Sequence, residues 1–144
     1  FQASIEKVVA LAVLMPIVAS MGGNAGTQTL TVSVRALATK ELTPSNTLRI
    51  IAKETFVGGI NGFIFAVLVG LIASYWFSDT LLGMVIALAM IINLLVAGLA
   101  GALIPISLNK LKIDPALASG VILTTITDVF GFLSFLGLAS IFII

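Results

Sequence analysis

Three stretches of this chain contain no charged residue: 8–34, 55–78 and 80–109, runs of 27, 24 and 30 residues. Each exceeds the ~20 apolar residues that carry a helix across a ~30 Å hydrocarbon core. A fourth stretch, 115–144, is equally apolar but holds one acid near its middle, Asp128. The pattern predicts an all-α polytopic membrane protein with four transmembrane helices, forming a single transmembrane domain over residues 1–144. Composition follows from this, since 60% of the 144 residues are hydrophobic and 9% charged, where a soluble domain carries ~25% charge.

The chain has neither Cys nor His. That excludes disulfide staples, thiolate and imidazole metal ligands, haem ligation, and nucleophiles or bases built on those side chains. The sequence is therefore read as a non-enzyme without a cofactor. The net charge of +1 conceals no basic block, so nucleic-acid binding has no electrostatic basis, and the expected surroundings are a lipid bilayer. There is no initiating Met and no signal-peptide pattern, and the sequence reads as part of a larger protein.

The first apolar segment, about 5–38, spans ~51 Å if helical throughout, more than one crossing requires. An interruption is expected at 22–26, because Met21-Gly22-Gly23-Asn24-Ala25-Gly26-Thr27-Gln28-Thr29 sets three glycines among small polar residues, downstream of Pro16. Thr43-Pro44-Ser45-Asn46 signals a turn, with Ser45 or Asn46 available to cap a second helix at 46–77. Tyr75 and Trp76 near its far end suit the headgroup level. Ser78-Asp79-Thr80 reads as a turn and N-cap before a third helix, 80–108, bent or broken at Pro105. Asp114-Pro115 is a good opening for the last helix, 115–143.

An even number of spans puts both termini on one side. The loops at 35–53 and 109–114 hold Arg35, Lys40, Arg49, Lys53, Lys110 and Lys112, and only Lys7 lies elsewhere. The positive-inside rule makes those loops cytoplasmic and places both ends of the chain outside, in the cell's inner (plasma) membrane. A further span is then expected before Phe1 if the parent protein has a cytoplasmic amino-terminal part.

Asp128 is the sharpest functional candidate. It lies ~20 Å along the helix from Pro115, and an acid at that depth costs several kcal/mol unless it meets a partner or water. On a helical projection Gly120, Thr124, Thr127, Asp128, Gly131 and Ser134 share about a third of the circumference, while residues including Leu123, Val129, Leu133 and Leu136 cover the opposite side. A small, polar stripe backed by a lipid-facing wall is the pattern of a helix lining a water-filled path. The alternative is an internal ion pair or a protonated acid bonded to a Thr, although Arg35, Arg49 and Lys53 belong near the cytoplasmic surface.

The glycine-rich segment has two readings of equal weight. One is close helix packing, with Asn24 and Gln28 as interhelical glue. The other is a loosened backbone whose carbonyls, with the Asn24 amide, suit a hard cation or its hydration water. Gly58 with Gly62, and Gly98 with Gly101, read as packing positions, Asn61 and Asn93 as structural amides, and Glu54 as the partner of Lys53 or Arg49.

These residues resemble a known family. The run Pro16–Thr29 with its GGNAGTQ string, the Asn93…Gly98…Gly101-Ala102-Leu103-Ile104-Pro105 segment, and Asp114-Pro115 followed by Thr124-Thr125-Ile126-Thr127-Asp128 are similar to the membrane domain of the MgtE magnesium channels, in order along essentially the whole chain. The resemblance implies a pore-forming homodimer, five membrane helices per subunit, and cytoplasmic regulatory domains that sense magnesium. It implies no counterpart here for the first helix or for those domains. Position by position, it makes Asp128 the pore acid, Asn24 the amide of the glycine-rich segment at the pore, and Thr124 a residue whose backbone carbonyl faces the ion. Gly120 stands where some members have Asn, which leaves no side chain to contribute at that level.

The function implied is passive Mg²⁺ uptake through a dimeric pore, with Mn²⁺, Co²⁺ and Ca²⁺ as further candidate ions. Mg²⁺ keeps its octahedral water shell at ~2.0–2.1 Å and sheds it reluctantly, so one Asp per chain, two across a two-fold axis, suits a hydrated ion. The first and last spans are expected nearest that axis. The competing reading is an exchanger that couples the divalent ion to Na⁺ or H⁺ through Asp128.

Overall fold

The computed structural model describes residues 9–41, 43 and 45–143. They form four helices: α1 (Val9–Ala38), α2 (Thr47–Trp76), α3 (Thr80–Lys110) and α4 (Pro115–Phe142). Each runs 28 to 31 residues, or ~42–47 Å, so its ends reach beyond a ~30 Å hydrocarbon core. All four are long and apolar enough to cross a bilayer. In lipid an unpaired backbone group costs several kcal/mol, and a helix satisfies its own.

α3 is the hub. It packs against α1, α2 and α4, and α1 also packs along α4. Its burial explains its composition, with Leu82, Val85, Ile86, Ala89, Met90 and Leu94 all essentially inaccessible. The α2–α3 contact is backbone on backbone, since a Cβ on Gly58 would stand 2.5 Å from the Leu94 carbonyl oxygen and one on Gly98 would stand 2.6 Å from that of Glu54. The expected packing role of both glycines is met. α2 gives its other sides to the surroundings, where Phe56, Phe63, Leu71, Tyr75 and Trp76 are exposed.

The expected interruption at 22–26 does not occur, and α1 is one continuous helix through Pro16 and the glycines. A glycine lacks a side chain, not a backbone N–H, so the ladder persists where packing holds it. Pro105 likewise lies inside α3, which continues to Lys110 rather than ending at 108. α2 ends at Trp76 and α4 at Phe142, each one residue short of expectation. The expected start of the first helix at residue 5, together with Lys7 and Pro44, lies outside the described residues.

The three loops share one way of stopping a helix. Lys40, Ser78 and Lys112 adopt left-handed φ values of 62°, 51° and 61°. The amide of each following residue then donates five positions back: Glu41 to Ala36, Asp79 to Ser74 and Ile113 to Leu108. This is the Schellman closure, usually built on Gly. The caps at Asp79 and Asp114 form as expected, accepting from the amides of Leu82 (3.1 Å) and Ala116 (3.0 Å). Asn46 occupies the N-cap position of α2 without capping it. Its amide ties the loop instead, accepting from the Thr43 N–H at 2.7 Å and donating to the Glu41 carbonyl at 2.9 Å.

Candidate ion site

The glycines of α1 determine how its polar residues are displayed. Gly26 faces Leu123 of α4, where a Cβ would come within 2.9 Å of a methyl, and the Gly26 carbonyl lies 2.8 Å from the Cβ position of Gly101 on α3. The Cβ position of Gly22 is filled by the Asn93 amide. Gly131 of α4 abuts the Ala19 backbone, 3.1 Å from its Cβ position. α1 is thus bedded between α3 and α4, and every bulky substitution on its inner side would push them apart. Of the two readings of the glycine-rich segment, close packing is realised, but by the glycines rather than by Asn24 and Gln28, which are exposed.

With the inner side used for packing, the outer side of α1 is left to polar residues. Ser20, Asn24, Thr27 and Thr31 are all exposed, and their i, i+4, i+7, i+11 spacing is one helical face. Only Asn24 was singled out from the sequence. The others were hidden by weighing the segment as a string rather than as a helix, since an interrupted helix has no faces. The hydroxyls of Thr27 and Thr31 return to the helix, donating to the carbonyls of Gly23 (2.7 Å) and Thr27 (2.9 Å).

On α4 the expected stripe is divided. Ser119, Leu123, Thr127, Gly131, Phe135 and Ala139 form the buried seam, and Thr127 donates inward to the carbonyls of Leu123 (3.1 Å) and Thr124 (3.2 Å). Leu123 and Leu136, expected on a lipid-facing wall, are buried at 0% and 6% exposure. The reason is that α4 is gripped by both α1 and α3, and the i, i+4 row that fits them crosses the polar stripe at an angle. Gly120, Thr124 and Asp128 remain on the exposed side, as does Val121 at 73%.

Asp128 therefore stands on an uncovered face halfway along a membrane-length helix. Among the described residues its carboxylate makes no ion pair and no hydrogen bond, so neither the internal ion pair nor the Thr-bonded acid is realised. Gly23 and Thr127 face each other, 3.8 Å separating the Cβ position of the first from the Oγ1 of the second. The next residues, Asn24 and Asp128, accordingly lie at one level of the bundle. Thr124 donates its hydroxyl to the Gly120 carbonyl at 3.0 Å and to that of Val121 at 3.2 Å, and nothing among the described residues stands within 4 Å of the Cβ position of Gly120. No group of three or more acids among the described residues could hold a metal within one chain.

Glu54 departs from expectation, because among the described residues it forms no ion pair with Lys53 or Arg49. With Gln28, Thr29 and Asn61 it lines a cleft of about 180 Å³ between α1 and α2. Leu37, Thr43, Asn109 and Lys110 line one cavity, which brings the α1–α2 and α3–α4 loops to the same end of the bundle and gathers the basic residues there.

A sequence profile described as a divalent cation transporter, MgtE, matches residues 15–138. Proteins named magnesium transporter MgtE are 38% identical over 143 residues in Bacillus subtilis, 37% over 142 in Enterococcus faecalis and 37% over 140 in Thermus thermophilus. The alignments cover 96–99% of this chain and 31–32% of the relatives, so the chain spans about a third of their length. Four membrane-length helices, the profile match and these relatives together show that the chain belongs to the MgtE family of divalent cation transporters and is a multi-pass membrane domain.

Proposed function

We propose that this chain forms, with a second copy of itself, a channel for Mg²⁺ in which Asp128 and its symmetry mate hold the hydrated ion. The observation that carries this reading is the partnerless carboxylate on the uncovered face of α4. Lipid is the wrong neighbour for it, since an acid at that depth costs several kcal/mol, and no group among the described residues neutralises it. A second copy on this face would replace lipid with a water-filled path shared by two acids, with α1 and α4 nearest the axis.

Two carboxylates, the carbonyls near Thr124 and the amide of Asn24 cannot supply six close oxygens to so small an ion without crowding the axis. Water fills the inner shell, and Asp128 acts through bound waters at distances longer than the ~2.1 Å of direct coordination. Discrimination against monovalent ions comes from charge density and the size of the water shell, and Mn²⁺, Co²⁺ and Ca²⁺ are further candidate ions. The basic end of the bundle is the cytoplasmic end, by the positive-inside rule, which sets both ends of the chain outside the inner membrane.

Reconstituted protein in a planar bilayer tests the reading. Mg²⁺ should carry current with no gradient of Na⁺ or H⁺, and cobalt hexammine, a hydrated-magnesium mimic that keeps its ligands, should block it. A strict need for a counter-ion gradient would establish the exchanger, and indifference to cobalt hexammine would reject recognition of the hydrated ion.

A further inference from the structure

We propose that Asn93 is a positioning residue for the ion site, setting the relation of α1 to α4 at the level of Asn24 and Asp128. The inference rests on the reading of Asp128 given above. Asn93 lies on α3, is wholly buried, and its Nδ2 donates to the Val18 carbonyl of α1 at 2.9 Å. The same nitrogen fills the Cβ position of Gly22 on α1 and stands 2.9 Å from that of Gly131 on α4. Gly22 is two residues before Asn24, and Gly131 is three residues, just under one turn, after Asp128. One carboxamide therefore touches both helices that carry the ion-site residues, beside those residues, without reaching the exposed face itself.

Packing alone does not select an asparagine here. A carboxamide offers two N–H donors and an oxygen with two lone pairs, and the Asn93 Oδ1 is buried with no partner among the described residues. Leucine has the same number of heavy atoms and would leave no orphaned acceptor. What leucine lacks is the donor that pins the axial position of α1 through Val18 and the flat, narrow end that lets Gly22 and Gly131 come close. Gly22 makes the dependence mutual, since all three of the nearest atoms to its Cβ position belong to the Asn93 side chain. The glycine at the head of the GGNAG string is thus explained by a residue on another helix, 71 positions away.

The test uses Asn93→Leu and, in parallel, Asp128→Asn, each reconstituted and assayed for Mg²⁺ current, cobalt hexammine block and thermal stability. Outer residues that orient an ion's direct partners typically change affinity or activity ~10–100-fold. Asn93→Leu should therefore weaken the block at least ~10-fold in protein that still folds. Asn93→Leu with an unaltered block would overturn the inference, provided that Asp128→Asn has lost current. If Asp128→Asn keeps current and block unchanged, the ion-site reading itself fails and the inference fails with it. Should Asn93→Leu not fold, Gly22→Ala and the pair Gly22→Ala/Asn93→Ala decide the matter. The three atoms nearest the new methyl all belong to Asn93, so the pair should recover the stability lost by Gly22→Ala and still show the weakened block. Recovery of both stability and block would reduce Asn93 to packing.

Discussion

At the scale of single residues, the division of α4 separates exposed side chains, proposed to work on the ion, from buried ones that hold the helix. Thr124 and Thr127 look alike in the sequence, yet Thr127 is buried against α1 and Thr124 is exposed. Because the Thr124 hydroxyl is spent on its own backbone, the contribution to the proposed path is assigned to its carbonyl. Thr124→Val should keep Mg²⁺ flux within about two-fold, on the scale of a surface change of under ~0.5 kcal/mol, as measured by uptake into proteoliposomes. The mid-helix place of Asp128 was legible in advance because a charge inside a charge-poor span stands out in the sequence. The inward turn of Thr127 was not, since a helical projection gives faces but does not say which neighbour each face meets. Asn93 read as glue for the same reason, its relation to Gly22 and Gly131 being visible only once three helices are in place.

Among the elements, glycine means opposite things at different positions. A Cβ on Gly58 would press on the Leu94 carbonyl at 2.5 Å, whereas one on Gly120 would meet nothing among the described residues. Gly58→Ala should destabilise by about 1–3 kcal/mol, the cost of overpacking. Gly120→Ala should be neutral or stabilise by up to about 1 kcal/mol through helix propensity. Thermal melting in detergent measures both, and the opposite order would contradict the helix contacts. Loop closure gives a second case. Lys112 bears the left-handed conformation, which costs a non-glycine residue about 1–2 kcal/mol. Lys112→Gly should therefore raise stability or leave it unchanged, while Lys112→Val should lower it. The spans and the Asp79 and Asp114 caps were readable because charge-free length and cap chemistry are local. The continuity of α1 was misjudged because its glycines answer to Asn93, Leu123 and Gly101, which no local rule can see.

For the whole molecule, the hub arrangement leaves one polar uncovered flank, made by α1 and α4, and one apolar one, made by α2. In the proposed dimer, two copies meet through the first flank and the second faces lipid. The chain has no cysteine, so Val121→Cys on the α4 flank and Phe56→Cys on α2, both at highly exposed positions, can be compared directly. A short bis-maleimide linker should join two copies through Val121→Cys and not through Phe56→Cys. The central claim is that two Asp128 carboxylates on this shared flank hold the passing ion. A carboxylate ~5 Å from a divalent ion contributes several kcal/mol even at an effective dielectric of ~20, and each 1.4 kcal/mol is about a factor of ten. Single-channel recording of Asp128→Asn beside the parent protein is therefore the most direct measurement. The account predicts that the folded, dimeric variant loses Mg²⁺ conductance by at least ~10-fold, and a variant that folds, dimerises and conducts Mg²⁺ like its parent would contradict it.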